Sequence, residues 1–316
     1  MVTLARRLGA LLLTLAVSSF VIFAGMFAAP GDPLTFLIKN PEDRTPDRIA
    51  AVRAAYHLDD SFPQQYFLWV KGVVHGDLGT SFVYKQPVAD LMSSRLPVTV
   101  LLVAMAALLF VVAGVLLGVV SALRRGGVAD SAITGVTTFL TSVPHFVVAL
   151  VLVSVFAVQL GWFEVSGSGD GFADRLYHLT LPAIALALGA LAVVSRVTRQ
   201  TMVEQQSLEH VEVARSFGLP RRKVVRRHVL RNSLGPVVTM CGLIIASMLA
   251  GTVVIESVFG LSGVGSMLVD SINAHDFPVV QAILLYMVLA YMVVTIVVDV
   301  VYPLIDPRTR ERSEAA

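Results

Sequence analysis

Residues 209–232, EHVEVARSFGLPRRKVVRRHVLRN, form a polar, basic segment set between two long apolar runs of a 316-residue chain. Val211 and Ala214 stand at helical spacing, Gly218 suits the position just past a helix end, and Pro220 stops the helix. A second short helix begins directly after the proline. The spacing predicts a helix–turn–helix on which a partner protein docks.

Attraction between the basic residues and anionic lipid is the alternative account of this segment. It explains the basic face but not the turn between two helices or the apolar stripe of Val211, Ala214 and Phe217/Gly218. Docking explains both the turn and the stripe. We also expect the preceding span to continue as one helix from Arg196 to Phe217.

The composition is that of a membrane protein. Hydrophobic residues make up 56% of the chain, charged residues 15%, and the mean hydropathy is +0.77, whereas soluble domains carry about 25% charged residues. Six apolar runs are each long enough, or nearly so, to cross a hydrocarbon core of about 30 Å: 8–29, 98–123, 133–160, 179–197, 237–255 and 282–304. Their apolar character is continuous, without the alternation of a barrel strand, which predicts an all-α polytopic membrane protein with about six transmembrane helices.

The basic residues indicate the orientation. With the amino terminus inside, 16 of the 24 Lys and Arg residues fall in inner segments, and most of the others lie in a long outer segment that translocates regardless of charge. This predicts two cytoplasmic termini. The expected divisions are a first transmembrane helix at 1–29, an extracytoplasmic segment at 30–97, a five-helix core at 98–306 with a cytoplasmic loop at 199–233, and a tail at 307–316. A cleaved signal peptide is the alternative for the first run, but that run exceeds the usual apolar length.

The outer segment has helix signals of its own. Thr45 and Pro46 suit the start of one helix, and Ser61 the start of a second that carries Tyr66 and Trp69 on one face. The alternative is a solvated connector. Cys241 is the only cysteine, so an intramolecular disulfide is impossible.

Ser142, Pro144 and Phe146 lie where the third apolar run is interrupted. Proline removes a backbone donor and kinks a helix, and the freed carbonyls can line a cavity. We therefore expect these three residues to line a translocation path. His145 is either a functional residue or a side chain that packs near the inner end against a freed carbonyl. No second His or Cys stands at ligand spacing, so no metal site is expected.

Glu256 ends the fifth run and precedes a glycine-rich stretch with Gly260, Gly263 and Gly265. We expect a tight outer turn there. The glycine order is not the dinucleotide-binding fingerprint, and the chain contains no phosphate-binding loop of the G-x-x-x-x-G-K-[ST] type. The missing H-E-x-x-H and G-x-S-x-G motifs argue against a membrane-embedded protease or hydrolase.

The polar segment resembles the EAA loop of binding-protein-dependent ABC importer permeases, E-A-A-x3-G-x9-I-x-L-P. Glu212, Ala214, Gly218 and Leu230 match, whereas Val213, His228 and Arg231 replace the first Ala, the Ile and the Pro. The stretches at 30–33, 64–70, 76–81, 87–99, 142–146 and 256–265 are similar to the oligopeptide/dipeptide/nickel branch of that family, with Ser262 where proline is usual.

The resemblance implies that the ATPase subunit contacts Glu212, Val213, Ala214, Arg215, Gly218 and Leu219. It also implies a bacterial inner-membrane protein that is not itself an enzyme and carries no cofactor, with ATP and Mg bound by partner subunits. The implied partners are a second homologous permease, two ATPase subunits, an extracytoplasmic substrate-binding protein and the lipid bilayer, but no nucleic acid.

Peptides are the expected substrate because the chain shows no metal-ligand cluster. Nickel or another small solute of the same branch is the alternative. A self-sufficient secondary transporter is the rival from a different class, but paired repeats and charged residues at the midplane are not evident.

Overall fold

The structure, a computed structural model, describes residues 2–28, 45–55 and 59–305. Within these ranges the regular elements are helices, with one isolated β-bridge between Thr80 and Pro87. The stretch at 30–33 and the tail at 307–316 lie outside the described residues. The helices are α1 (Val2–Phe27), α2 (Pro46–Ala55), α3 (Phe62–Val74), α4 (Val88–Leu123), α5 (Val128–Ser142), α6 (His145–Leu152), α7 (Phe172–Gln206), α8 (Glu209–Ser216), α9 (Arg221–Val258), α10 (Val264–Asn273) and α11 (Phe277–Ile305).

The prediction of an all-α polytopic membrane protein is confirmed. Of the described helices, five (α1, α4, α7, α9 and α11) are long and apolar enough to cross a membrane. A sixth span results if α5 and the helix that follows it are counted together. Two π-helical stretches interrupt the regular pattern, Val153–Gln159 after α6 and Val225–Leu230 inside α9.

The third apolar run is a broken helix. α5 and the helical stretch His145–Gln159 meet at an angle of 103°. The ring of Pro144 disfavours helical backbone at the residue before it, and Val143 is extended, with φ −96° and ψ 126°. Pro144 then starts the next helix, because its carbonyl accepts from the N–H groups of Val147 and Val148 at 3.0 and 3.2 Å. The predicted kink is therefore a complete interruption of the hydrogen-bond ladder.

The described part of the chain divides into two compact units. The first comprises Met1–Pro97 and Ser266–Leu289. Its α1 and α3 pack through aromatic rings, with Phe23 of α1 within 5.6 Å of the Phe62, Tyr66 and Trp69 ring centroids. The predicted starts of α2 and α3, at Pro46 and after Ser61, are confirmed.

A buried carboxylate organises the rest of the first unit. Asp276 is fully buried and accepts hydrogen bonds from the hydroxyl of Ser81 and from the backbone N–H groups of Phe82 (2.9 Å) and Val83 (3.1 Å). The segment at 266–289, which the sequence groups with the five-helix core, therefore lies with the outer segment.

The second unit comprises Val98–Gly265 and Ala290–Ala316. Its centre is α7, which packs against α5, α6 and α9. Half of the 14 buried residues of α7 are alanine, glycine or serine, Gly189 among them. Small residues let helix backbones approach closely: a Cβ built on Gly118 of α4 would lie 2.6 Å from the carbonyl oxygen of Ser195.

Candidate functional site

The coupling segment, residues 209–232, is the part of the chain that is predicted to contact the ATPase subunit. It forms a separate helix–turn–helix after α7. The expectation of one helix from Arg196 to Phe217 is wrong, since α7 ends at Gln206 and α8 begins at Glu209. Leu208 is extended, with φ −83° and ψ 145°, and the hydroxyl of Ser207 donates to the carbonyl of Glu204 at 2.8 Å. The extended backbone of Leu208 therefore separates α8 from the span.

Gly218 ends α8 as the sequence predicts. Its φ is +72°, a left-handed conformation that glycine adopts without steric cost. The N–H of Gly218 donates to the carbonyl of Arg215 at 2.9 Å and that of Leu219 to Ala214 at 3.4 Å. This pair of bonds is the Schellman motif, and it turns the chain sharply into α9.

The inner face of α8 packs within this chain. Val211 and Ala214 are buried in a cluster with Met202, Val224 and Val229. The small side chain of Ala214 therefore admits a helix of the same subunit. Phe217 does not share this stripe, since it is 82% exposed.

A shallow, mostly apolar groove runs along α8. Its volume is about 530 Å³, and it is lined by Glu209, His210, Val213, Ala214, Phe217, Leu219 and His228. The predicted coupling residues Glu212 and Arg215 are exposed beside it. The amide of Asn232 joins the two helices of the segment, because its nitrogen lies 2.9 Å from the carbonyl oxygen of His228 and 3.3 Å from Nε2 of His210.

The basic face predicted after Pro220 is present in the structure. Arg221, Arg222, Lys223, Arg226 and Arg227 are exposed, whereas Val224 and Val229 are buried. The surface of the segment thus carries an apolar groove along α8 and exposed basic side chains at the start of α9.

A cavity of about 400 Å³ lies beside the helix break. It is lined by Thr141, His145, Leu186, Gly189, Ala190, Val193, Ile244, Ser247, Met248 and Gly251. His145 rests against Gly189, where any added Cβ would overlap the imidazole ring. The predicted pathway residues Ser142, Pro144 and Phe146 lie at the break and are exposed. They do not line this cavity, whereas their sequence neighbours Thr141 and His145 do.

The predicted outer turn closes around a buried carboxylate. Gly260 has φ +57°, and the N–H of Leu261 donates to the carbonyl of Glu256 at 2.9 Å. Glu256 is fully buried and accepts from the hydroxyl of Thr99 at 2.6 Å. A Cβ added to Gly263 would overlap this carboxylate, and one added to Gly265 would lie 2.7 Å from Cα of Val253.

Two buried carboxylates of the second unit make contacts that were not anticipated from the sequence. Asp130 accepts two hydrogen bonds from the guanidinium of Arg199, and Thr99 joins Glu256 to the backbone N–H of Val264 at 2.9 Å. The sequence offered one indication for Asp130, because it is a single carboxylate close to an apolar run. Its partner is 69 residues away and gives no pattern in the sequence.

Comparisons with known proteins place the chain in a family. Residues 114–311 match the profile of the binding-protein-dependent transport system inner membrane component, and residues 1–103 match its N-terminal membrane component. The dipeptide transport system permease protein DppB of Lactococcus lactis subsp. cremoris (strain MG1363) is 38% identical over 306 residues, covering 96% of this chain and 98% of the relative.

Two further relatives match with similar coverage. The oligopeptide transport system permease protein AppB of Bacillus subtilis (strain 168) is 36% identical over 304 residues, covering 94% of this chain and 95% of the relative. The glutathione transport system permease protein GsiC of Escherichia coli O6:H1 (strain CFT073) is also 36% identical, over 305 residues that cover 96% of this chain and 97% of the relative.

The fold is also similar to solved structures. A chain of the MetNI methionine ABC transporter in an inward-facing conformation superimposes with a TM-score of 0.57 at 15% identity, covering 68% of this chain and 96% of that one. A chain of an amino acid ABC transporter gives a TM-score of 0.51 at 19% identity, covering 67% and 93%. The chain belongs to the family of inner membrane components of binding-protein-dependent transport systems and is a permease subunit of an ABC importer, which works with ATPase and substrate-binding partners.

Proposed function

We propose that this permease forms half of the translocation pathway of an ATP-driven peptide importer in a bacterial inner membrane. Relatives named as dipeptide and oligopeptide permeases align with 94–96% of the chain and carry this proposal. The other half is a second homologous permease, and the complex is completed by two ATPase subunits and an extracytoplasmic substrate-binding protein.

The groove on α8 is the surface that we assign to the ATPase subunit. An apolar groove is a surface on which a short helix of a partner protein can dock. Phe217 and Val213 line the groove, and 82% and 45% of their surfaces are exposed. Glu212, Arg215, Gly218 and Leu219 frame this contact. Ala214 supports it from the inside, because its buried side chain fixes α8 on α9.

ATP and Mg bind to the partner ATPase subunits in this proposal, and both termini of the permease are cytoplasmic. Ser142, Pro144 and Phe146, at the helix break, line the path at its inner end, and the turn at 256–265 lies near its outer end. Closure of the ATPase subunits moves the coupling segment and shifts the spans between two states.

The docking surface is tested by Phe217→Ala in the complete importer. An exposed aromatic anchor of an interface contributes about 2 kcal/mol or more to binding, so we expect weaker retention of the ATPase subunits on purification and a lower ATPase rate stimulated by the substrate-loaded binding protein. Phe172→Ala is the matched control, because Phe172 is 71% exposed at the far end of α7. Equal retention and equal ATPase rates for the two variants would contradict this assignment.

The substrate is tested by uptake of tritium-labelled dialanine into proteoliposomes that contain the complete importer. Competition by unlabelled tripeptide supports the peptide proposal. Uptake of labelled glutathione or Ni²⁺, without any uptake of dialanine, favours the alternative that the importer serves another solute of the same branch. The glutathione permease relative motivates that arm.

A further inference from the structure

An ion pair between the buried Asp130 and the partly exposed Arg199 joins α5 to α7. Nε and Nη2 of Arg199 donate to the two carboxylate oxygens of Asp130 at 2.7 and 2.8 Å. The hydroxyl of Ser121 and the backbone N–H of Gly126, at 2.9 Å, donate to the same carboxylate. Asp130 is 4% exposed, so four donors from α4, the turn after it and α7 meet at one enclosed carboxylate.

Stability alone is a weak reason for such a pair. Desolvation of the Asp130 carboxylate offsets part of its attraction to Arg199, and apolar residues of similar volume often stabilise a fold equally well. A bidentate Arg–carboxylate pair instead fixes geometry, because both hydrogen bonds require one orientation of the guanidinium plane. The pair therefore defines how α5 sits on α7.

α5 is attached to α7 near both of its ends. Arg196 lies one helical turn before Arg199 on α7, and its Nη2 donates to the hydroxyl of Thr141 at 3.4 Å. Asp130 and Thr141 are near opposite ends of the 15-residue α5, which is about 22 Å long. Gly114 and Gly118 of α4 pack closely on residues 191–198 of α7, so α4 also contacts this part of α7.

The two ends of α5 lead to different parts of the proposed machinery. At Asp130 it is fixed to the end of α7 that continues, through Ser207 and Leu208, into the coupling segment. At Thr141 it borders the cavity and then breaks at Val143–Pro144. α5 thus connects the end of α7 that precedes the coupling segment to the helix break.

We propose that Asp130 and Arg199 are positioning residues for transport: they make α5 follow the end of α7, so that a displacement of the coupling segment reaches the helix break. This rests on the proposed docking of the ATPase subunit at α8. Neither residue touches substrate or nucleotide in this role. Loss of the pair uncouples the break from ATP hydrolysis.

The experiment uses the complete importer in proteoliposomes, with Cys241→Ala as background and Ser142→Cys as the reporter. Ser142 is exposed at the end of α5. The rate of its reaction with a maleimide is measured without nucleotide and in the vanadate-trapped state, together with the ATPase rate. Asp130→Asn and Arg199→Gln break the pair, Arg199→Lys keeps the charge, and Asp59→Asn breaks the exposed Arg53–Asp59 pair at 2.7 Å as a matched control.

We expect Asp130→Asn and Arg199→Gln to retain ATPase activity but to lose the difference in maleimide rate between the two states. Arg199→Lys restores part of that difference, and Asp59→Asn leaves it intact. If the difference persists in the broken-pair variants, if it is absent with the pair intact, or if ATPase activity and the difference fall in proportion, the proposal is overturned. If the broken-pair variants do not assemble, Arg199→Lys decides. A smaller difference in maleimide rate than in the unmodified pair supports the proposal, and an unchanged difference overturns it.

This readout is independent of the transported solute. Absence of dialanine uptake with an intact nucleotide response removes the peptide proposal and leaves the positioning role standing. Normal dialanine uptake with an unchanged response in the broken-pair variants removes the positioning role alone.

Discussion

Glu256 is enclosed by two glycines, and neither position has room for a side chain. An added Cβ at Gly263 would overlap the carboxylate, and overpacking of this kind costs about 1–3 kcal/mol. We therefore expect Gly263→Ala to lower the unfolding midpoint of the purified permease in detergent.

The matched control for this substitution is Gly135→Ala in α5. Nothing lies within 4 Å of an added Cβ at Gly135, and alanine gains about 0.5–1 kcal/mol over glycine inside a helix. Its midpoint should be unchanged or raised. If both variants have the unfolding midpoint of the wild-type permease, the residues around Glu256 accommodate the added methyl group without loss of stability, and the expectation is wrong.

Sequence reasoning at the level of single residues succeeded where the signal is local. Gly218 and Gly260 stand just past helix ends, where a positive φ favours glycine, and both have it. Phe217 was placed on the buried stripe by its spacing, but the Schellman turn directs it outward. The contact between Thr99 and Glu256 spans 157 residues, and a single sequence carries no pattern for such a pair.

The break between α5 and α6 depends on one proline. In Pro144→Ala the ring no longer keeps Val143 out of the helical region, so the two halves can approach one continuous helix. We expect slower uptake of labelled dialanine by the reconstituted importer at unchanged assembly.

Pro97→Ala is the control, because Pro97 is an exposed proline inside the uninterrupted α4. It should transport at the wild-type rate. Uptake that falls equally in both variants, or in neither, would separate the break at Pro144 from transport.

The elements show where periodicity stops being sufficient. Pro144 predicted an interruption, but its angle of 103° depends on how α5 and α6 pack on α7, which spacing does not encode. The end of α7 at Gln206 has no signal in the sequence, because residues 196–217 have helical propensity throughout and the extended backbone of Leu208 interrupts them. The π-helical stretch in α9 likewise has no signal in apolar spacing.

At the scale of the whole molecule, composition and run length were sufficient to predict the helical class and the number of spans. The grouping of segments was not predictable in this way. The residues at 266–289 join the outer segment because Asp276 binds the backbone at 82–83. That contact depends on a single carboxylate, 194 residues from Phe82.

The orientation in the membrane that charge asymmetry predicts is tested with two single cysteines in the Cys241→Ala background. Ser61, before α3, and Ser207, between α7 and α8, are both exposed on the protein surface, so that only the membrane distinguishes them. Because Lys and Arg concentrate in cytoplasmic segments, Ser61→Cys should react with an impermeant maleimide in intact cells. Ser207→Cys should react only after permeabilisation, and the opposite pattern would reverse the topology and place the groove on α8 out of reach of any cytoplasmic ATPase subunit.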